Sequence, residues 1–228
     1  FHAPQILGID DYLPPAMTIV ENNVDENRRF HKYYGKFVEK HPEYGEFYTF
    51  ADSGDLLSLI KNLAAKGIYP TKDDWFQEVE RYLKGDFEAF KARFEEKNVV
   101  VNSKDSPLKK LLKRDFKKRV FPEGSPRLED LLDEEQPKRI KNESGDACFN
   151  EDRSALFNFI HDLYFEYIQH ALNRNYLNFS FLIMFAYVLL CERKHLREKL
   201  QFQYVMVDEF QDTNEIQFKL TMLLSKTG

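Results

Sequence analysis

The sequence predicts a mainly α-helical chain that ends in a short α/β segment. The strongest helical signal lies at residues 154–172, where apolar side chains recur every three or four positions. A second, almost wholly apolar helix is predicted at 179–191. Near the carboxyl end, the β-prone run 202–207 stops at two acidic residues and helical spacing resumes at Glu215. This pattern predicts a buried strand, an acidic turn and a final helix.

Further helices are predicted upstream. Asp52 can cap a helix that ends at Gly67, and apolar spacing predicts another helix over 71–84. Residues 21–40 show a looser helical pattern, and residues 192–199 are expected to form a charged connector. These segments account for the expectation that most of the chain is helical.

Composition and charge narrow the function classes. The 228 residues suffice for one substantial domain, or for one domain and part of another. No apolar run approaches the roughly 18–20 residues of a membrane helix, so no membrane partner is expected. Cys148 and Cys191 lack the spacing of a disulfide framework or zinc site, which favours a cytoplasmic location. With a net charge of −5, any contact with nucleic acid would have to come from local patches or from parts of the protein outside these 228 residues.

Asp208 and Glu209 directly follow the predicted strand, an arrangement that suits nucleotide hydrolysis. Ligands of parallel α/β sheets gather beyond the carboxyl ends of the strands. Asp208 could hold Mg²⁺ through water, and Glu209 could orient and deprotonate the attacking water. The alternative is a helix N-terminus, where acidic side chains interact favourably with the helix dipole.

The string Val207 to Asn214 reads VDEFQDTN and resembles motif II, or Walker B, of the UvrD/Rep/PcrA-like superfamily one DNA helicases. Gln217 and the predicted strand agree with that motif. Residues 173–180 occupy the place of a family segment that often reads like LDFDDLL, although its acids are absent here. The predicted helices after Asp52 and near Trp75 resemble the first two helices of the inserted 1B domain. The resemblance therefore covers roughly residues 50–228.

This resemblance implies a helical 1B-like inserted domain joined to part of a RecA-like, P-loop NTPase domain. Residues 1–49 are assigned to an N-terminal segment at the end of the RecA-like 1A domain. Residues 50–200 are assigned to the 1B-like domain, with a flexible excursion at about 122–153. Residues 201–228 are assigned to a 1A segment that carries the Walker B strand and the helix after it.

The resemblance also implies residue roles. Asp208 is the magnesium-binding acid and Glu209 the general base, while Gln211 and Asp212 couple nucleotide state to neighbouring motifs. The implied parent hydrolyses ATP with Mg²⁺ to move 3′ to 5′ on single-stranded DNA and to unwind duplexes in DNA repair or replication. No GxxxxGK[ST] phosphate loop occurs, so this piece alone is expected to bind no nucleotide and to be inactive. Its partners would be DNA and the remaining RecA-like parts of the parent chain.

DNA contact is predicted at two places. Phe1 and His2 resemble the family's TFH element, a strand end that touches single-stranded DNA. A basic amphipathic helix over 104–119 could contact duplex phosphates, or it could be a solvated face paired with the acidic residues 129–135. The candidates on this helix are Lys109, Lys110, Lys113, Arg114, Lys117 and Lys118. The alternative function is a non-catalytic DNA- or protein-binding module derived from a helicase.

Overall fold

The computed structural model describes residues 17–70, 75, 107, 110, 111, 114 and 154–226. Within these residues the chain is mostly helical, which confirms the mainly α prediction. Two short strands occur, β1 (Thr18–Val20) and β2 (Tyr176–Asn178), and 3₁₀ turns occupy Pro42–Tyr44 and Phe210–Asp212. The α-helices are α1 (Asn23–Lys40), α2 (Gly45–Tyr48), α3 (Ser53–Lys66), α4 (Ser154–Asn173), α5 (Phe179–Glu192), α6 (Lys194–Leu200) and α7 (Glu215–Leu224).

The chain divides into two compact units. The first is drawn from Phe1–Gly35, Ile60–Trp75 and His161–Gly228, and the second from Lys36–Leu59 and Phe76–Ile160. The assignment of residues 1–49, 50–200 and 201–228 to family domains stays a prediction.

A two-stranded parallel sheet lies in the first unit. β1 pairs with β2 in a register that places Thr18 opposite Tyr176 and Val20 opposite Asn178. Every residue of β2 is buried, and both strands lead at their carboxyl ends into helices, α1 and α5. Neither strand was predicted, because three-residue strands leave almost no alternation in the sequence.

Aromatic rings fill the core of the first unit. Phe30 packs edge-on against Tyr167 at 4.7 Å between ring centroids, and Tyr167 packs against Phe181 at 5.7 Å. Tyr164 is fully buried and donates its hydroxyl to the Met184 sulfur at 3.1 Å. Burial raises the pKa of Tyr164 well above its usual value, so this phenol stays neutral. These rings form the core, as helical spacing predicts.

The described part of the second unit has its own aromatic cluster around Phe159. The Phe159 ring stacks on Phe47 at 5.1 Å and meets Tyr44 at 5.5 Å. Phe37 lies 6.2 Å from the same ring. Leu111, on the apolar stripe of the predicted basic helix, is also buried.

Helix α3 confirms the predicted capping signals at both ends. The Asp52 carboxylate accepts the backbone N–H of Gly54 at 2.8 Å. At the other end Gly67 adopts φ +76°, a left-handed conformation that favours glycine. The N–H of Ile68 then reaches the carbonyl of Leu63 at 3.0 Å, closing a Schellman motif.

The other helix predictions are confirmed in part. Those at 154–172, 179–191 and from Glu215 are confirmed as α4, α5 and α7. The connector predicted at 192–199 is wrong, because residues 194–200 form helix α6. Trp75 is helical, but the rest of 71–84 and the whole excursion at 122–153 lie outside the described residues. None of the described helices is both long and apolar enough to cross a membrane.

The predicted buried strand at 202–207 is wrong. Only Phe202 forms a bridge, with Ser225, and the side chains that follow are exposed, with Tyr204 at 82% and Met206 at 95%. A strand needs a neighbour to pair its backbone N–H and C=O groups. Nowhere in the part of the chain that the structure describes does a strand run beside 203–207.

Candidate functional site

The acid pair lies in an exposed turn that joins residue 207 to the 3₁₀ turn Phe210–Asp212. Glu209 has φ +50°, which is uncommon for a residue other than glycine. The Asp208 carboxylate accepts the backbone N–H of Glu209, the next residue, at 3.0 Å, a local bond from side chain to backbone. The turn therefore has a defined shape, and both carboxylates are exposed at its surface.

Gln211 is the predicted site residue that contacts the proposed base. Its side-chain amide Nε2 donates to Oε2 of Glu209. Asp212 belongs to the same turn through its backbone, since its N–H donates to the Glu209 carbonyl at 2.9 Å. The structure thus brings together the side chains of Glu209 and Gln211, whereas Asp212 is joined to them through the main chain.

The end of the VDEFQDTN string starts helix α7. The Asn214 side chain accepts the N–H of Gln217 at 3.0 Å, and the Gln217 side chain accepts the N–H of Asn214 at 2.9 Å. This reciprocal capping box satisfies two backbone donors at the helix start. The Phe210 ring also meets Phe218 edge-on at 5.9 Å. The motif spacing is thereby explained locally: its carboxyl half holds the acidic turn to the start of a helix.

Helix α7 is fixed to the end of α3 within the first unit. Lys219 Nζ donates to the Lys66 carbonyl at 3.1 Å and pairs with Glu215 at 2.9 Å. Lys66 itself lies 3.5 Å from Glu215. The hydrogen bond from Lys219 lowers the pKa of Glu215 below its usual value. Ile216 is buried beside Gly67, so the helix after the acid pair has both polar and apolar anchors.

A buried polar group near the β1–β2 pair was not predicted from the sequence. Glu26 and Asn178, each 4% exposed, are hydrogen-bonded from Asn178 Nδ2 to Glu26 Oε1 at 2.5 Å. Lys61 Nζ contacts the other oxygen of Glu26 at 2.7 Å. Asn178 also caps α5, accepting the N–H of Phe181 at 2.7 Å. Asn178 stands in the segment where the helicase family often has acids, and that departure was the one available signal.

The DNA-contact candidates are only partly described. Lys110 and Arg114 are helical, and both pair with Asp55, at 3.2 Å and 2.9 Å respectively. Arg114 also donates to the Phe50 carbonyl at 3.4 Å. These two cations therefore have an acidic partner within the second unit, different from the predicted residues 129–135. The other candidates, Phe1, His2, Lys109, Lys113, Lys117 and Lys118, lie outside the described residues.

The acid pair fits a magnesium site that is shared between protein carboxylates and the phosphates of a nucleotide. In the described ranges no group of three or more His, Cys, Asp or Glu side chains could hold a metal ion. Mg²⁺ bound with nucleotide needs no such cage, because it keeps several waters and takes one or two carboxylates together with phosphate oxygens. The exposed Asp208 carboxylate can be the carboxylate that the protein supplies to such a site.

Comparison with known proteins decides the family. A model of the UvrD/REP helicase N-terminal domain matches residues 27–228. The chain belongs to this family. The resemblance to UvrD/Rep-like helicases is thereby confirmed, and the matched residues include the whole acidic turn.

Two curated relatives of this UvrD/REP helicase N-terminal domain match over shorter stretches. The exonuclease/helicase subunit RexA of Lactococcus lactis is 38% identical over 74 residues, which cover 32% of this chain and 6% of RexA. The ATP-dependent DNA helicase Rep of Buchnera aphidicola is 42% identical over 67 residues, which cover 28% of this chain and 10% of Rep. The matches thus span a tenth or less of these relatives. No solved structure matches significantly.

Proposed function

We propose that this UvrD/REP helicase N-terminal domain is part of an ATP-dependent DNA helicase that moves 3′ to 5′ on single-stranded DNA and unwinds duplexes. The family match, which includes the Asp208–Glu209 turn, is the observation that carries this proposal. The Rep relative is an ATP-dependent DNA helicase, which supports ATP as the nucleotide and DNA as the substrate. A role in DNA repair or replication and a cytoplasmic location belong to the same proposal.

The proposed chemistry assigns one task to each carboxylate. Asp208 would hold Mg²⁺ through water, and the ion would offset the negative charge that develops on the phosphates. Glu209 takes a proton from the attacking water as the water oxygen forms a bond to the γ-phosphorus and the bond from phosphorus to the ADP oxygen breaks. Asp212 and Gln211 transmit the state of the nucleotide to neighbouring motifs.

The proposed domain assignment places these residues in a longer chain. Residues 1–49 and 201–228 belong to the RecA-like 1A domain, and residues 50–200 form the 1B-like insertion. The phosphate loop, which is absent from these 228 residues, comes from another part of the complete helicase. The exposed apolar side chains of residues 203–207, such as Met206, are covered by other parts of that domain. The 228 residues alone bind and hydrolyse no ATP.

Unwinding of tailed duplexes by the complete helicase tests the proposal. The expected result is ATP-dependent strand separation of a duplex with a 3′ single-stranded tail and little separation of the matched duplex with a 5′ tail. A non-hydrolysable ATP analogue is the control, and it should abolish unwinding. ATP-independent DNA binding without unwinding would favour the alternative, a non-catalytic binding module. Unwinding only from a 5′ tail would contradict the proposed direction.

A further inference from the structure

We propose that Gln211 is a positioning residue that holds the Glu209 carboxylate for proton transfer. This inference rests on the proposed function, because it assumes that Glu209 is the general base. Its structural basis is the hydrogen bond from Gln211 Nε2 to Glu209 Oε2. Gln211 would act through Glu209 without touching the nucleotide.

The backbone of the acidic turn places the two side chains within reach of each other. Glu209 is in the left-handed region, and the Asp208 carboxylate accepts its N–H at 3.0 Å. The 3₁₀ turn that follows is closed by hydrogen bonds from Asp212 N–H to the Glu209 carbonyl at 2.9 Å and from Thr213 N–H to the Phe210 carbonyl at 3.0 Å. A side chain two residues after Glu209 is thereby directed back to its carboxylate.

The turn is also held at its far end. The capping box of Asn214 and Gln217 begins α7, and the Phe210 ring lies against Phe218. Gln211 therefore extends from a segment with fixed ends, which lowers the conformational entropy lost when its side chain binds Glu209.

The contact leaves the carboxylate able to act. Gln211 engages Oε2, and none of the residues that the structure describes makes a hydrogen bond or ion pair with Oε1 of Glu209. An amide restrains the rotation of the carboxylate without the opposite charge that Lys or Arg would bring. One oxygen of Glu209 is thus held while the other can accept the proton of the attacking water. General bases require such placement within hydrogen-bond reach of the proton that they remove.

The first test replaces Gln211 in the complete helicase. Gln211→Met keeps similar length but removes the amide donor, so we expect kcat for ATP to fall about tenfold while KM stays within about twofold. Gln169→Met, on α4 and outside the turn, is the matched control and should leave both constants unchanged. An unchanged kcat for Gln211→Met would overturn the inference. A raised KM with unchanged kcat would also overturn it, because the effect would then lie in ATP binding.

A double-mutant cycle separates positioning from a general structural effect. Glu209→Asp shortens the base by one methylene and moves it away from the Gln211 amide. If Gln211 acts through Glu209, Gln211→Met should lower kcat by less than about twofold in the Glu209→Asp background. A full tenfold loss in that background would contradict the inference. Glu209→Gln tests the proposed function separately: if that variant keeps wild-type turnover, the base assignment itself fails, whatever Gln211→Met does.

Discussion

The Asn178 amide and the Glu26 carboxylate are hydrogen-bonded at 2.5 Å, and both side chains are almost completely buried. Lys61 neutralises the same carboxylate from its other oxygen. Residue 178 must therefore supply a donor to Glu26 and an acceptor to the start of α5. An amide side chain meets both requirements, whereas a carboxylate meets only the second.

Asn178→Asp should destabilise the protein by about 1–3 kcal/mol at neutral pH, because a second buried carboxylate would face Glu26. Urea unfolding measures the loss. Adding Glu26→Gln should restore part of the stability, since the new amide can donate to the carboxylate at 178. Equal losses in the single and double variants would show that the two side chains do not interact as described.

Gly67→Ala should lower the free energy of unfolding by about 1 kcal/mol. Gly67 has φ +76°, and an alanine in this conformation is strained even though its Cβ would have room, 3.6 Å from Tyr187 Cε1. Gly35→Ala is the control. Gly35 lies inside α1 with open space around it, so alanine there should stabilise by roughly 0.5–1 kcal/mol. Thermal or urea unfolding measures both changes. If Gly67→Ala and Gly35→Ala shifted the free energy of unfolding in the same direction, the prediction would be contradicted.

Glu215→Gln should reduce stability at neutral pH by about 0.5 kcal/mol or less, because it removes a half-exposed ion pair with Lys219. The hydrogen bond from Lys219 lowers the pKa of Glu215 below 4.5. A lowered folded-state pKa contributes stability that is present above pH 4.5 and is lost as the pH falls through that lowered pKa. The difference between wild type and variant should therefore shrink in acid.

Urea unfolding as a function of pH measures whether the stability difference between wild type and Glu215→Gln shrinks in acid. Glu198→Gln is the matched control, because Glu198 lies 3.8 Å from Lys194 in a more exposed pair and should show a smaller effect. A Glu215→Gln difference that grew as the pH fell would contradict the assignment.

Arg114→Gln should lower stability by about 1 kcal/mol and leave the salt dependence of duplex binding unchanged, because Asp55 engages this guanidinium. Reversing Lys109 and Lys113 to Glu should instead weaken duplex binding and flatten its salt dependence, if the basic helix contacts phosphate as predicted. Binding titrations over a range of salt distinguish these results. A flatter salt slope for Arg114→Gln would mean that the ion pair with Asp55 opens on DNA.

Local signals in the sequence predicted much of this fold. The Asp52 cap, the Gly67 end and the periodic helices α4, α5 and α7 depend on neighbouring residues, and all of them formed as expected. The buried strand at 202–207 was predicted wrongly because pairing of a strand depends on residues distant in sequence.

In the candidate site, too, the features set by neighbouring residues could be predicted and the contacts that depend on folding could not. Its acid pair was evident from a string of adjacent residues. The contact of Gln211 with Glu209 depends on a left-handed backbone at Glu209, which is rare for glutamate and carries no sequence signal. The bond from Asn178 to Glu26 joins residues 152 positions apart, so the unusual residue at position 178 could not indicate which residue it contacts.

ATP turnover by Glu209→Gln in the complete helicase, measured beside ATP binding, tests the proposed base most directly. The substitution keeps the size of the side chain and removes its basicity, so turnover should fall by roughly 100-fold or more while ATP affinity is retained. Glu198→Gln, a glutamate on α6 outside the turn, should keep wild-type turnover. Wild-type turnover by Glu209→Gln would contradict the assignment of this residue as the general base.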